Sequence, residues 1–234
     1  MVPIAQISLL LLTQGSGHNI SDYLQGDLRD LSVVAKVVSV DVRELKKIKK
    51  DYAQNYTFDR SSVFFKDPFK LRVDSVVEDT TVSITYNGSR LKIKAPGITS
   101  KQDIDKDPAR RETLMDLGVL VPSMFDGFFK ARFVRVDRET GFPVFDINYV
   151  DPGEEARYRV WIDPTHKTIA KREWYNRYGT QLATFFYDHP QHINGAWIPS
   201  MITVKNVDNK VAGATRYESI KVNQGLSDSL FSVK

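Results

Sequence analysis

The sequence predicts an α+β chain built mainly of antiparallel β-sheet, and three observations carry that reading. From Tyr158 to Val222, stretches rich in β-branched and aromatic residues follow one another, divided by Asp163-Pro164-Thr165-His166, Asn176-Arg177-Tyr178-Gly179, His189-Pro190 to Asn194-Gly195, and Asp208-Asn209. Connections this short join only antiparallel neighbours, because a parallel return needs a crossover of roughly a dozen residues or more. Between residues 97 and 129 the strand pattern gives way to short helical ones. A sheet with one apolar side must either curl into a barrel or receive helices, and this segment supplies them.

At 234 residues, with 41% hydrophobic and 26% charged residues, the chain has the composition of one large globular domain. That usage indicates neither a disordered chain nor a membrane-embedded body. The net charge of +4 and pI near 9.1 come from interleaved charges of both signs, which suit a solvated basic face or weak attraction to an anionic partner. There is no cysteine, so disulfides, thiolate chemistry and cysteine-based metal sites are excluded, while the compartment stays open. Ile4 to Leu12 is apolar and is followed by small and polar Thr13 to Gly17. This reads as a signal peptide over residues 1–17, though Met1-Val2-Pro3 brings no basic residue; an ordinary buried N-terminal segment is the alternative. The run is shorter than the roughly 20 apolar residues of a bilayer span. No repeat or linker divides the remainder, so residues 18–234 are expected to form a single domain.

Taken in order, Tyr23, Leu24, Leu28 and Leu31 have helical spacing behind a Ser21 or Asp22 cap, and Ser32 to Val42 is a β-branched strand. Leu45, Ile48 and Tyr52 among four lysines predict a short basic amphipathic helix, its charge turned to solvent, a membrane surface or an acidic partner. Phe58 to Lys66 and Phe69 to Ser75 form a strand pair split by Asp67-Pro68. Alternation puts Phe65, Phe69, Leu71, Val73, Val82, Ile84 and Tyr86 on one apolar face, with Lys70, Arg72 and Asp74 on the other. Asn87-Gly88 turns a hairpin back through Leu91 and Ile93, and Pro96-Gly97 is expected to end the ribbon. Asp107-Pro108 and Val121-Pro122-Ser123 then start two short helices, the first with Leu114 and Leu117 on its apolar side and Gly118 as its stop. Met115, Met124, Phe125 and Phe128 in this segment suit either a pocket wall or plain core packing. Strands resume at Lys130 to Val136 and Phe142 to Tyr149.

No reaction is written in the chain. There is no nucleophile elbow, phosphate-binding glycine loop or HExxH, and the acidic pairs Asp103/Asp105 and Glu154/Glu155 fall in loops. His189 and His192 lack a third metal ligand at fitting spacing, so no metal and no cofactor are expected. The aromatics fall mainly on apolar faces, which argues against nucleic acid.

Three stretches carry a family resemblance: Val63 to Arg72 around Asp67-Pro68; Val160 to Pro164, Lys171-Arg172-Glu173 and Asn194 to Pro199; and the closing Val222 to Phe231. With these the chain resembles the outer-membrane lipoprotein-sorting, LolA-like proteins of bacterial envelopes. The resemblance implies an incomplete, half-open β-barrel of about eleven strands, its concave face closed by short helices. It also implies a periplasmic, monomeric, non-enzymatic carrier that shelters the acyl chains of lipid or acylated lipoprotein, taken from an inner-membrane exporter to an outer-membrane receptor. An envelope sensor with a lipid-binding domain is the alternative. Family carriers often place Arg before the turn proline to hold the lid; here Asp67 stands there. The ligand-binding residues expected on this reading are Phe65, Phe69, Leu71, Val73, Val82, Ile84, Tyr86, Leu114, Met115, Met124, Phe125 and Phe128.

Overall fold

The computed structural model describes residues 17–77, 80–151, 153 and 156–234, so nearly all of the expected signal peptide and the Glu154/Glu155 pair lie outside the described residues. In chain order the strands are β1 (Asp30–Val40), β2 (Arg60–Lys66), β3 (Lys70–Val77), β4 (Thr80–Asn87), β5 (Arg90–Ala95), β6 (Ile98–Asp103) and β7 (Phe129–Val136). They continue with β8 (Pro143–Tyr149), β9 (Arg157–Asp163), β10 (Thr168–Tyr175), β11 (Gln181–Ile193), β12 (Ala196–Asn206) and β13 (Val211–Val222). The helix α1 (Val42–Ile48) follows β1, capped by the Asp41 carboxylate, which accepts from the amides of Arg43 and Glu44.

All thirteen strands form one antiparallel sheet in the order β6-β5-β4-β3-β2-β1-β13-β12-β11-β10-β9-β8-β7. Two meanders are joined by the β1–β13 ladder, and the outermost strands β6 and β7 pair on one side only, so the sheet stays open. The expectation of about eleven strands is corrected to thirteen among the described residues. Pro96-Gly97 does not end the ribbon: Gly97, at φ 71°, turns it into β6, an exposed, polar edge strand without apolar alternation. His189-Pro190 is not a turn either. It lies inside β11, opposite Pro199 of β12, and Asn194-Gly195 makes the hairpin. The two expected helices of the 97–129 segment are three short 3-10 turns, Pro108–Arg110, Leu114–Leu117 and Pro122–Phe125, because Pro108, Gly118, Pro122 and Gly127 punctuate the chain too closely for α-helix. The expected helix after Ser21 is likewise one 3-10 turn, Ile20–Tyr23, capped by Asn19.

Cross-strand register stacks the inner face in rows. Leu31, Phe65, Leu71, Tyr86 and Leu91 are successive partners from β1 to β5, and Val33, Val63, Val73, Ile84 and Ile93 form the next row. Leu114, Val119, Leu120, Val121 and Met124 of the crossing segment are buried against this face, and so are Leu45 and Ile48 of α1. The last turn, Asp228–Phe231, lies on the outer face of β2 to β4. There Asp228 meets the ammonium groups of Lys66 (2.9 Å) and Lys70 (2.8 Å), and Arg72 donates to the Leu230 carbonyl.

Gly118 closes the middle 3-10 turn at φ 81°, its amide bonded to the Met115 carbonyl, and a Cβ there would meet the Tyr187 ring at 2.5 Å and Pro199 at 2.9 Å. Gly118→Ala therefore combines left-handed strain with overpacking, and we expect it to cost about 2–4 kcal/mol. The urea-unfolding midpoint measures this.

Candidate functional site

The sheet curls far enough for Ile84 on β4 and Tyr149 on β8 to line the same cavity, although eight strands lie between theirs in the sheet order. The space is about 390 Å³ and lies between the inner face, the Tyr52–Tyr56 turn after α1, and residues 109–117 of the crossing segment. Small-molecule sites run from about 300 to about 1,000 Å³.

Its two sides differ in chemistry. Val63, Leu71, Val73 and Ile84 make an apolar wall on β2 to β4, with Ser61 and Ser75 at its end sharing a 2.6 Å hydrogen bond. The other side is aromatic: Tyr52 and Tyr56 from the turn, Tyr158, Trp174, Phe185 and Tyr217 from the sheet. Gly213 is where Tyr56 comes down on β13, its ring occupying the space that a Cβ would need. Burial raises Tyr56 to about 12 and Tyr52 and Tyr217 also upward, so these phenols stay protonated throughout the physiological range.

Among these rings sits a charge. Arg172 of β10 faces Val160 and Phe185 across the ladders, is 4% exposed, and stacks its guanidinium 4.3 Å from the Phe185 ring and 5.3 Å from Tyr158. Its Nη1 donates to Asp116 Oδ1 at 2.7 Å, while its buried Nε has no partner. Asp116 belongs to the Leu114–Leu117 turn, where its other oxygen accepts from the Thr113 amide at 3.0 Å and completes a capping box. Nearby Glu112 still meets cavity water, but the protein around it removes much of its hydration; that desolvation, then the Asp116 charge, raises it to about 7. Among the described residues no group of three or more metal-ligating side chains converges.

The solved structure of a LolA superfamily protein from Nitrosomonas europaea matches with a TM-score of 0.62, covering 91% of this chain and 94% of that one at 16% identity. A domain described as an outer membrane lipoprotein-sorting protein, from Vibrio parahaemolyticus, gives 0.54 at 12% identity over 91% and 93% of the two chains. The fold is LolA-like. A DUF1329 family protein from Desulfovibrio piger has the same fold at a TM-score of 0.52, with 8% identity over 92% and 93%. In sequence, a family described as an uncharacterized protein matches residues 151–234, and no curated protein matches the chain.

In this LolA-like frame the residues expected from sequence divide by position. Leu71, Val73, Ile84 and Met115 are on the cavity wall. Phe65, Leu114 and Met124 are buried in the main core away from it, and Tyr86 packs in a satellite cluster with Leu91 and Ile104. Phe128 centres an aromatic group, 4.9 Å from Phe69, 4.6 Å from Phe129 and 5.5 Å from Tyr149, with Phe125 6.4 Å from Phe129. Val82 continues the same face of β4 in line with Ser75, off the cavity wall. Sequence reasoning missed Arg172 and the tyrosines of the Tyr52–Tyr56 turn. The available signal was a lone Arg between Lys171 and Glu173 in a strand whose other parity was already charged.

The Glu112 shift has a definite sign. A raised folded-state value means that the native state holds this proton more tightly than the unfolded chain, whose value is near 4.5. Its stabilising contribution is full below that value and is lost as pH rises through about 7. Glu112→Gln should therefore match wild type in thermal midpoint at pH 4.5 and exceed it at pH 8, which a pair of calorimetric scans checks.

Proposed function

We propose that the protein is a periplasmic binder or carrier that shelters an acyl chain of a lipid or lipid-modified protein in the inner cavity and passes it toward the outer membrane. The observation that carries this reading is the cavity itself: a LolA-like sheet whose inner face is only partly filled by its own crossing segment. Water leaves such a wall at a gain, and each methylene moved into it contributes roughly 0.8 kcal/mol. About ten methylenes then supply roughly 8 kcal/mol before the cost of immobilising the chain, enough for firm binding without any catalytic group. At about 30 Å³ for a water-sized group, 390 Å³ holds about a dozen such groups. That is one chain, not several.

Delivery needs a cover that can yield, and short 3-10 turns are weaker covers than long helices because each has few backbone hydrogen bonds. No helix among the described residues is long and apolar enough to cross a membrane. An exporter on the donor side and a receptor on the acceptor side complete the proposal, since a bound chain moves on only to a site that binds it better.

Protein recovered from the native envelope without detergent should carry fatty-acyl lipid or acylated peptide by native mass spectrometry. Val73→Glu, which puts a charge on the apolar wall, should abolish the adduct, whereas Lys94→Glu on the exposed outer face should keep it. Wild-type protein isolated free of lipid, or equal loss in both folded variants, removes this reading.

A further inference from the structure

Burying a guanidinium is expensive unless its hydrogen bonds are filled, and Arg172 is buried with one of them open. Its cross-strand partners Val160 and Phe185 offer no acceptor side chain. The acceptor that it does have, Asp116, arrives from the crossing segment, and the two partners differ in their reach to water: 4% of the Arg172 side chain is exposed against 43% of Asp116. The carboxylate is thus the replaceable member of the pair. Within the cavity a fixed cation ringed by aromatic faces lies opposite a wall of Val73 and Ile84.

We propose that Asp116 occupies the seat of an acidic head group, and that the cavity takes a single-chain amphiphile ending in a carboxylate, which replaces Asp116 on Arg172 while its chain lies along Val73 and Ile84. This rests on the acyl-binding reading and specifies its ligand. A planar carboxylate matches the guanidinium fork and can fill the open Nε position that Asp116 leaves unpaired. An ester or alcohol head cannot compensate the charge, so Asp116 would stay in place. Replacement also costs the Thr113–Asp116 capping box, so seating the head group loosens the Leu114–Leu117 turn above it. Binding of the acid and opening of the cover are then one equilibrium. Glu112 opposes it least when protonated, the form that its lost hydration favours.

The test is calorimetric titration of delipidated protein with dodecanoate, dodecanol and dodecyltrimethylammonium at pH 6.5. Dodecanoate should bind about tenfold or more tighter than dodecanol, with the ammonium weakest, as expected for a charge-assisted pair. Asp116→Asn, which removes the competing charge, should tighten dodecanoate severalfold and leave dodecanol unchanged. Arg172→Gln should erase the preference while keeping dodecanol, whose binding certifies an intact cavity. Equal affinity for the three chains, or a preference that survives Arg172→Gln, overturns the acidic-head inference and leaves the cavity reading standing. Should Arg172→Gln not fold, Asp116→Asn decides alone: no gain for dodecanoate overturns it. Failure of every chain to bind wild type removes both readings.

Discussion

The constraint on which the structure depends is topological. The first meander ends at β6, one edge of the sheet, and the second begins at β7, the opposite edge. A chain continuing from one edge to the other has to pass over a face of the sheet. It passes over the inner one, where Leu114, Val119 and Leu120 can be buried, and becomes a cover. The β1–β13 ladder makes this geometry hold, because it is the seam between the meanders. Asp30 reinforces it, its carboxylate accepting from the amides of Gln224, Gly225 and Leu226, while the Asn223 side chain accepts from Arg29 and donates to Asp27. Cover and cavity are therefore consequences of strand order, and the side chains set the chemistry of the cavity wall.

Those side chains do not make a plain hydrocarbon slot. A buried ion pair is seldom the most stabilising solution, since apolar residues of similar volume often do as well or better. Arg172 is nonetheless retained inside three aromatic rings, with Tyr187 at 5.9 Å completing the set. Its contrast is Asp146 on the outer side of β8, which is held by Arg132, Arg157 and Arg159 together and lies below the ordinary carboxylate range; burial opposes that shift and the arginines outweigh it. There the hydrogen-bond capacity of the carboxylate is taken up and the group is structural. At Arg172 it is not: its Nε is unpaired, and the residue lies on the cavity wall.

How much of this was legible follows from where local signals were complete. The alternation of Leu71 and Val73 could be read because Asp67-Pro68 and Asn87-Gly88 fixed both ends of the hairpin, and the structure keeps that register through β2 to β5. β6 could not be read: Ile98 to Asp103 is an edge strand with water on it, and nothing apolar repeats. His189-Pro190 imitates a turn, yet Pro190 faces Pro199, a pairing in which neither ring can donate and the ladder loses nothing further. Arg172 was hidden by a register shift between Ile169 and Lys171, which turns Ile169 and Arg172 to the same face although their spacing assigns them to opposite ones. The cover was legible as a segment and not as a conformation, because 3-10 turns carry no periodic stripe.

The cover is also held unevenly. Residues 119–124 are fixed by burial, with Val119, Leu120, Val121 and Met124 all at 2% exposure or less, and Ile169 donates its amide to the Gly118 carbonyl beside them. Ser123 adds a hydrogen bond to Asp67 and so ties the proline turn to the cover. Upstream, the 109–117 stretch adds polar contacts to the burial of Leu114, Met115 and Leu117: Arg172 to Asp116, Tyr187 to the Met115 carbonyl at 3.2 Å, and Arg111 to Asp105 at 3.4 Å. Polar contacts can be exchanged for water or for a ligand at small net cost, whereas apolar burial cannot. The cover is thus anchored by apolar burial from Leu114 to Met124, and its exchangeable contacts are the polar ones around Asp116, where it borders the cavity.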